Sequence, residues 1–248
     1  MKMMKKGTAL LLFFVTACLT AQSVKLEYKV QKGDKFLVSL KMNQNMAPIM
    51  TMDIGVEMIT ETTNVANGKI ENKSQIKRMK MDISAQGESV NYDSNKKESE
   101  LSEEEKKMHQ EIAPALDIII YQTLDVSGKI LSQKIVPELK QANQLLNQNQ
   151  FSAMEYPKEA LKVGSSWNFK QDMGGMKMNA KYTVTKISST TLFADVSGTI
   201  DGVTEAVVGG KLEIDLATGM PSNVKMDIVM GSSAMGMKMG IEMTTTKL

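Results

Sequence analysis

Residues 50–58 read MTMDIGVEM, and methionine, isoleucine or valine occupies every second position of this stretch. Residues 235–243 read MGMKMGIEM and repeat the alternation. Side chains two residues apart project from the same face of a β-strand, whereas a helix distributes them around its circumference. The spacing therefore predicts two strands, each with a continuous stripe of thioether side chains on one face.

Similar alternation on both sides of these stretches predicts a mainly β protein built from antiparallel hairpins. We expect the first strand to begin near Val24, and residues 36–42 to pair with residues 50–58 as a long hairpin. In the strand predicted at 69–83, the apolar residues change parity, which indicates a β-bulge near Lys77 and Arg78. Further strands are predicted at 115–124, 167–173, 176–184, 191–200, 205–216, 224–230 and 234–245.

The central segment, residues 91–160, predicts two short helices. Ser102 and Glu105 have the spacing of a capping box, and acidic residues fill the first turn that follows. We expect this helix to end at Pro114. A proline at the first helical position and an apolar face predict a second helix over 137–149.

The first 21 residues have the composition of an export signal. Three lysines precede an apolar run over 9–15, and small residues follow at 16–21. Cleavage after Ala21 would release a soluble product, whereas residues 15–18 resemble a lipobox that would lipidate Cys18. The expected location is the periplasm or cell envelope, as an outer-membrane lipoprotein or a secreted protein. No later segment is long enough for a transmembrane helix.

Charge and cysteine content argue against nucleic-acid binding and exclude a disulfide within the chain. The chain carries 30 Lys and Arg against 28 Asp and Glu, and loss of residues 1–21 removes three lysines. The resulting charge, about −1, lacks the cationic excess with which proteins bind nucleic acid. Because Cys18 is the only cysteine, no disulfide within the chain is possible, and stability must come from burial.

A short internal repeat predicts two similar halves. Residues 32–36 (KGDKF) and 162–167 (KVGSSW) each place an aromatic residue three positions after a glycine. We therefore expect an N-terminal β half over 22–90 and a C-terminal β half over 161–248 in one integrated domain. The predicted architecture is a curved antiparallel sheet or half-open barrel, with the central helices on its concave face.

These motifs, with residues 210–215 and 218–219, resemble those of an uncharacterised family of exported bacterial β-rich proteins, a domain of unknown function. The resemblance covers most of the chain after residue 21 and implies no particular activity. The architecture is also similar to the half-open barrels of periplasmic lipoprotein carriers, which hold acyl chains against a concave sheet.

Catalysis has little support in the sequence, and we predict that the protein is not an enzyme. The only histidine, His109, lies in the charged helix without marked acid or base partners, so we expect it on the solvated surface. The acidic residues 103–105 lack the spaced oxygen ligands of a calcium loop and suit a helix start better. No cofactor is expected.

The methionine stripes are the predicted ligand-binding surface. Methionine is flexible and polarizable, so a face built from it can adapt to a lipid or another apolar ligand. An ordinary sheet core would show the same pattern. The candidate residues are Met50, Met52, Met58, Met176, Met178, Met235, Met237 and Met239.

Two alternatives remain open. Thioethers are soft ligands, so Met235, Met237 and Met239 could bind Cu(I), joined across neighbouring strands by Met173, Met176 and Met178. The protein could instead be a structural or partner-binding envelope module that uses the charged segment 93–107 as its contact.

Overall fold

The computed structural model of the chain describes residues 23–46, 48–137, 154–172, 177–201, 206–231 and 236–248. Within them the chain forms one antiparallel sheet of 12 strands. The first half contributes β1 (Lys35–Met46), β2 (Met50–Ala66), β3 (Lys69–Ala85), β4 (Glu88–Asp93), β5 (Ile119–Asp125) and β6 (Ile130–Val136). The second half contributes β7 (Ser166–Asp172), β8 (Lys177–Ile187), β9 (Thr191–Asp201), β10 (Ala206–Asp215), β11 (Pro221–Met230) and β12 (Met237–Lys247).

The strand order is β6-β5-β3-β2-β1-β12-β11-β10-β9-β8-β7, with β4 paired to β3 off this path. The second half is a meander of consecutive antiparallel strands, the first half departs from a meander at β4, and the halves meet where β1 pairs with β12. The sheet is not closed. The prediction of a mainly β, antiparallel protein is confirmed.

The predicted bulge in β3 is confirmed. Glu57 of β2 pairs with Arg78, but the next residue, Met58, pairs with Ile76. Lys77 is the extra residue, so Ile76 and Met79 both reach the apolar face despite their odd spacing.

One face of the sheet, here called the inner face, carries the hydrophobic core. Directly paired residues of antiparallel strands point to the same side, so the strand registers assign every side chain to a face. The methionines of the inner face are Met42, Met46, Met50, Met52, Met58, Met79, Met81, Met178, Met226, Met230, Met237, Met239 and Met243.

Two extended segments, residues 23–31 and 154–161, cover one end of the inner face and are here called the plug. They meet at a bridge between Val24 and Leu161, and Tyr28 stacks on Tyr156 with ring centroids 5.3 Å apart. We call the covered end proximal. The prediction that a sheet strand begins near Val24 is wrong, because residues 25–31 cross the strand ends instead of joining the sheet.

The plug joins turns that belong to both halves of the sheet. The Tyr28 amide donates to the Val126 carbonyl in the β5–β6 turn, at 2.8 Å, and the Lys29 amide donates to Thr218 in the β10–β11 turn, at 2.7 Å. Tyr156 repeats this bridge, since its amide donates to Ser127 and its hydroxyl donates to Gly219, each at 2.8 Å.

A second cover is the helix α1 (Glu103–Leu116). Ser102 caps it as predicted, since its hydroxyl accepts from the Glu105 amide and the Glu105 carboxylate accepts from the Ser102 amide. Pro114 does not end the helix, contrary to expectation. A proline in the last turn removes one hydrogen bond, and Ala115 still packs into the cluster of inner-face residues around Met79.

Three further expectations concern the central segment. β4 (Glu88–Asp93) extends over residues 91–93 into the central segment. The sequence predicted no strand there, because this stretch has few apolar residues. The strand expected over 115–124 begins only at Ile119, since α1 extends to Leu116. The second helix, predicted over 137–149, lies outside the described residues apart from Pro137. A one-turn 3-10 helix, Glu98–Glu100, precedes α1.

Among the described residues, no helix combines the length and the apolar character that a membrane span requires.

Candidate functional site

The inner face differs in exposure between its two ends. Met58 and Met178 are buried, with 5% and 1% of their surface exposed, and belong to the packed core. Four other predicted site residues, Met50, Met52, Met237 and Met239, are half-buried. They lie near the β1–β2 and β11–β12 hairpins, at the end of the sheet opposite the plug, which we call the distal end. Met173, Met176, Met235 and Cys18 lie outside the described residues.

Four methionines lie side by side at the distal end. Met46 of β1 pairs with Met50 of β2, and Met230 of β11 pairs with Met237 of β12. The β1–β12 ladder ends with the pair Asn45 and Lys238. The next residues along these two strands, Met46 and Met237, therefore lie side by side. The strands β2, β1, β12 and β11 are consecutive in the sheet. Met50, Met46, Met237 and Met230 therefore form a line across four strands, here called the distal methionine row.

The neighbouring row contains an amide side chain. Gln44 pairs with Met52 on one side and with Met239 on the other. Its side-chain amide donates a hydrogen bond to the Met237 thioether sulfur. All four residues are half-buried. Among the described residues, this part of the inner face is a partly exposed surface of thioethers with one amide, and the carboxylate of Glu88 lies on the same face two strands from Met50.

The middle of the inner face is filled by the chain itself. Leu40 and Met243 face Met154 of the plug and Phe169 across a cleft of only about 20 Å³. That volume is close to the minimum for one water molecule. An apolar ligand therefore finds no room there without displacing the plug.

Three tyrosines of the core carry no charge. Burial raises the pKa of Tyr28 to about 12, and it also raises the pKa values of Tyr156 and Tyr182. All three phenols are therefore neutral at ordinary pH. Three pairs of polar side chains on the inner face hydrogen-bond to each other at 2.8 to 3.1 Å: Thr60 with Ser74, Thr62 with Asn72, and Gln122 with Gln133.

The opposite, outer face is polar and carries charges of both signs. Lys225 and Glu242 approach to 3.0 Å, and Lys211 and Asp195 to 2.8 Å. Arg78 donates two hydrogen bonds to Asp93, which hold the pKa of that carboxyl near 2. Because the charges alternate, the described residues of this face form no extended surface of one sign.

The sequence predicted that His109 lies on the solvated surface, and this prediction is wrong. His109 is half-buried on α1, and its Nδ1 shares a 2.8 Å hydrogen bond with the hydroxyl of Tyr92 on β4. The contact anchors α1 over the sheet. The charged helix sequence gave no sign of it, because the partner lies on a strand that was not predicted.

Clusters of hard or borderline metal ligands are absent from the part of the chain that the structure describes. No group of three or more His, Cys, Asp or Glu residues there could hold an ion. The proposed extension of the copper site across neighbouring strands is wrong for Met178. That residue lies on β8, four strands from β12 in the sheet.

Sequence reasoning missed several residues of the distal end. Met46 and Met230 complete the distal methionine row, and Gln44 hydrogen-bonds within it. Met46 shares the parity of Met42, and Met230 that of Met226, so the alternation already contained both signals. Only the β1–β12 pairing, which the alternation cannot indicate, brings them together.

No known protein family matches the chain, and no curated protein does. Among solved structures, the chain is similar to lipovitellin, reported for its lipid–protein interactions, with a TM-score of 0.56 and 8% identity. The match covers 88% of this chain but only 25% of lipovitellin, so the chain spans about a quarter of that protein. DynF, from the dynemicin biosynthesis pathway of Micromonospora chersina, aligns over 92% of this chain and 85% of its own length at 9% identity. Its TM-score of 0.20 carries no argument.

Proposed function

We propose that this protein is a non-enzymatic binder of a hydrophobic ligand, a lipid or fatty acyl chain, and that the ligand lies on the distal end of the inner face. The observation that carries the proposal is the half-buried state of Met50, Met52, Met237 and Met239 on the face that elsewhere forms the core. An ordinary core would bury them. Partly exposed thioethers favour an apolar partner, and the carboxylate of Glu88 that shares this face lies two strands from Met50.

The proposal includes a curved sheet. β5 and β10 are six positions apart in the strand order, which corresponds to roughly 29 Å in a flat sheet. Yet the consecutive residues Tyr28 and Lys29 donate to the turns that follow β5 and β10. Consecutive Cα atoms are only about 3.8 Å apart. These contacts support a half-open barrel that narrows at the proximal end, with the inner face as its concave side.

The covers of the inner face define where a ligand would enter. The plug occupies the proximal end, and α1 packs on the inner face over β3 and β4. The distal end is the part of the face left half-buried. We therefore propose entry between the β1–β2 and β11–β12 hairpins, with the acyl chain lying along the methionines.

The likeness to lipovitellin supports this reading at the level of fold. That protein is described for its lipid–protein interactions, and the aligned part places a similar sheet in this chain. At 8% identity no ligand contact transfers from one protein to the other, so the methionines of this chain carry the specific argument.

We also propose that the protein acts in the cell envelope after export. The proposal rests on the composition of residues 1–21, with its lysines, short apolar run and small residues. Intact mass measurement of protein from its own cells tests it. Cleavage after Ala21 gives a chain that starts at Gln22, whereas the lipoprotein route gives an acylated Cys18. An unprocessed Met1 would contradict export.

Ligand binding is testable with a fluorescent fatty acid whose emission rises in apolar surroundings. The decisive variant is Met230→Asp, which places a carboxylate on the distal inner face. Val229→Asp is the matched control, because Val229 is the adjacent residue of β11 on the outer face, where 45% of it is exposed. We expect Met230→Asp to weaken binding about tenfold or more, since a carboxylate loses solvation against an acyl chain.

Val229→Asp should bind as the unsubstituted protein does. The fluorescence of the single tryptophan, Trp167, buried in the core, shows whether each variant is folded. Equal affinity of the two folded variants would contradict the proposed location, and the absence of saturable binding to unsubstituted protein would contradict the function.

A further inference from the structure

We propose that the distal methionine row, Met50, Met46, Met237 and Met230, is a binding site for a soft monovalent cation, Cu(I). The row differs from the copper site suggested by the sequence, which used Met235, Met237 and Met239 of one strand. Its four residues come from four consecutive strands and share one face.

The strand geometry brings the sulfur atoms within reach of one ion. Directly paired residues of antiparallel strands have Cβ atoms about 4.5–5.5 Å apart. The methionine side chain has three rotatable bonds, so the sulfurs of Met46 and Met237 can converge on one ion with either outer neighbour. Residues of a single strand on the same face are two positions apart, about 6.6–6.8 Å at the backbone, and converge less readily.

The donor set selects the metal. Thioether sulfur is a soft, uncharged ligand that suits Cu(I) and binds hard cations poorly. The charged residues next to the row, such as Lys238, have the opposite strand parity and point to the outer face. The four side chains of the row thus offer sulfur alone, and the carboxylate of Glu88, which is in register with Met50 on this face, lies two strands away; this donor set disfavours calcium, magnesium and zinc.

Gln44 restrains one thioether of the row. Its amide donates to the Met237 sulfur, which restrains the thioether and leaves its second lone pair available to a metal. Half-burial of all four methionines permits an ion to enter from the distal end while the surrounding side chains limit the access of water.

The test separates the metal site from the apolar surface, because leucine keeps the hydrophobic volume of methionine and removes the sulfur. The compared proteins are full-length chains with Cys18→Ser, so that the thiol does not compete. One carries Met46→Leu with Met237→Leu. The matched control carries Met226→Leu with Met243→Leu, two buried core residues of the neighbouring strands β11 and β12.

Cu(I) is titrated under anaerobic conditions against a chromogenic Cu(I) chelator. We expect one ion per chain at micromolar affinity or tighter, unchanged in the control. Loss of second-shell partners alone lowers metal affinity about 10–100-fold, so loss of two sulfurs should weaken binding by about tenfold or more. Trp167 fluorescence verifies that each variant is folded.

Two results would overturn the proposal: no binding of micromolar strength by the parent protein, or equal Cu(I) affinity in the Met46→Leu, Met237→Leu variant. Fatty acid binding is measured on the same proteins. In the Cys18→Ser parent, saturable fatty acid binding without Cu(I) binding would overturn the copper site alone, and Cu(I) binding without fatty acid binding would overturn the proposed function alone.

Discussion

Substitution of Gly219 by alanine tests whether the plug holds the two halves of the sheet together. Gly219 follows β10 and has a φ of +69°, in the left-handed region that glycine tolerates best. A Cβ at this position would overlap the carbonyl oxygen of Glu27 in the plug. The Gly219 carbonyl accepts a hydrogen bond from the Tyr156 hydroxyl. The substitution therefore perturbs both plug segments.

The expected loss has two parts. A left-handed conformation costs a non-glycine residue about 1–2 kcal/mol. The overlap is with backbone, so residue 27 must move, and the buried side chains Leu26 and Tyr28 on either side move with it. Exposing one large apolar side chain costs about 1.5–3 kcal/mol. We expect Gly219→Ala to lower the free energy of unfolding by about 3–5 kcal/mol.

Gly33→Ala is the matched control. Gly33 also has a positive φ, +93°, but a Cβ there would have nothing within 4 Å. It should lose only about 1–2 kcal/mol. Urea unfolding followed by Trp167 fluorescence measures both proteins under the same conditions. If the two variants lose equal stability, residue 219 is not in close contact with the plug, which would contradict the packing described for the proximal end.

Three further predictions follow from burial, charge and capping. Met58→Ala should cost about 2–5 kcal/mol because Met58 is buried, whereas Met52→Ala, at a half-buried position, should cost clearly less in the same urea assay. Arg78 holds the pKa of Asp93 near 2, below its usual 3.8, so this carboxylate stabilises the fold above about pH 4 and loses its contribution as the pH falls toward 2. Asp93→Asn should lower stability at pH 7 and flatten the decline between pH 4 and 2, and an unchanged profile would contradict the assignment. Ser102→Ala removes the α1 cap and should cost about 1 kcal/mol, measured by thermal unfolding; no loss would mean that the cap is dispensable.

Local patterns predicted the parts of the fold that depend on local chemistry. The two-residue period of β2 and β12, the bulge at Lys77 and the cap at Ser102 all follow from neighbouring residues, and all three are present. The same rules failed where tertiary contacts decide. Residues 24–30 alternate like a strand, yet they cross the strand ends and bury their apolar side against the core.

The candidate site was only partly predictable for the same reason. The sequence identified the stripes that contain Met50 and Met237, but not that β1 and β12 are neighbours. That pairing joins residues about 200 positions apart in the chain, and period-two patterns carry no information about partners. Burial also escaped prediction, since Met58 and Met52 have the same parity but differ in exposure.

Native mass spectrometry of the protein, gently extracted from its own cells, tests most directly whether the distal inner face holds an apolar ligand. We predict a population heavier than the processed chain by one lipid or fatty acid, which dissociates on collisional activation and is reduced in Met230→Asp but not in Val229→Asp. A single mass equal to the bare chain, unchanged after incubation with fatty acids, would contradict the account.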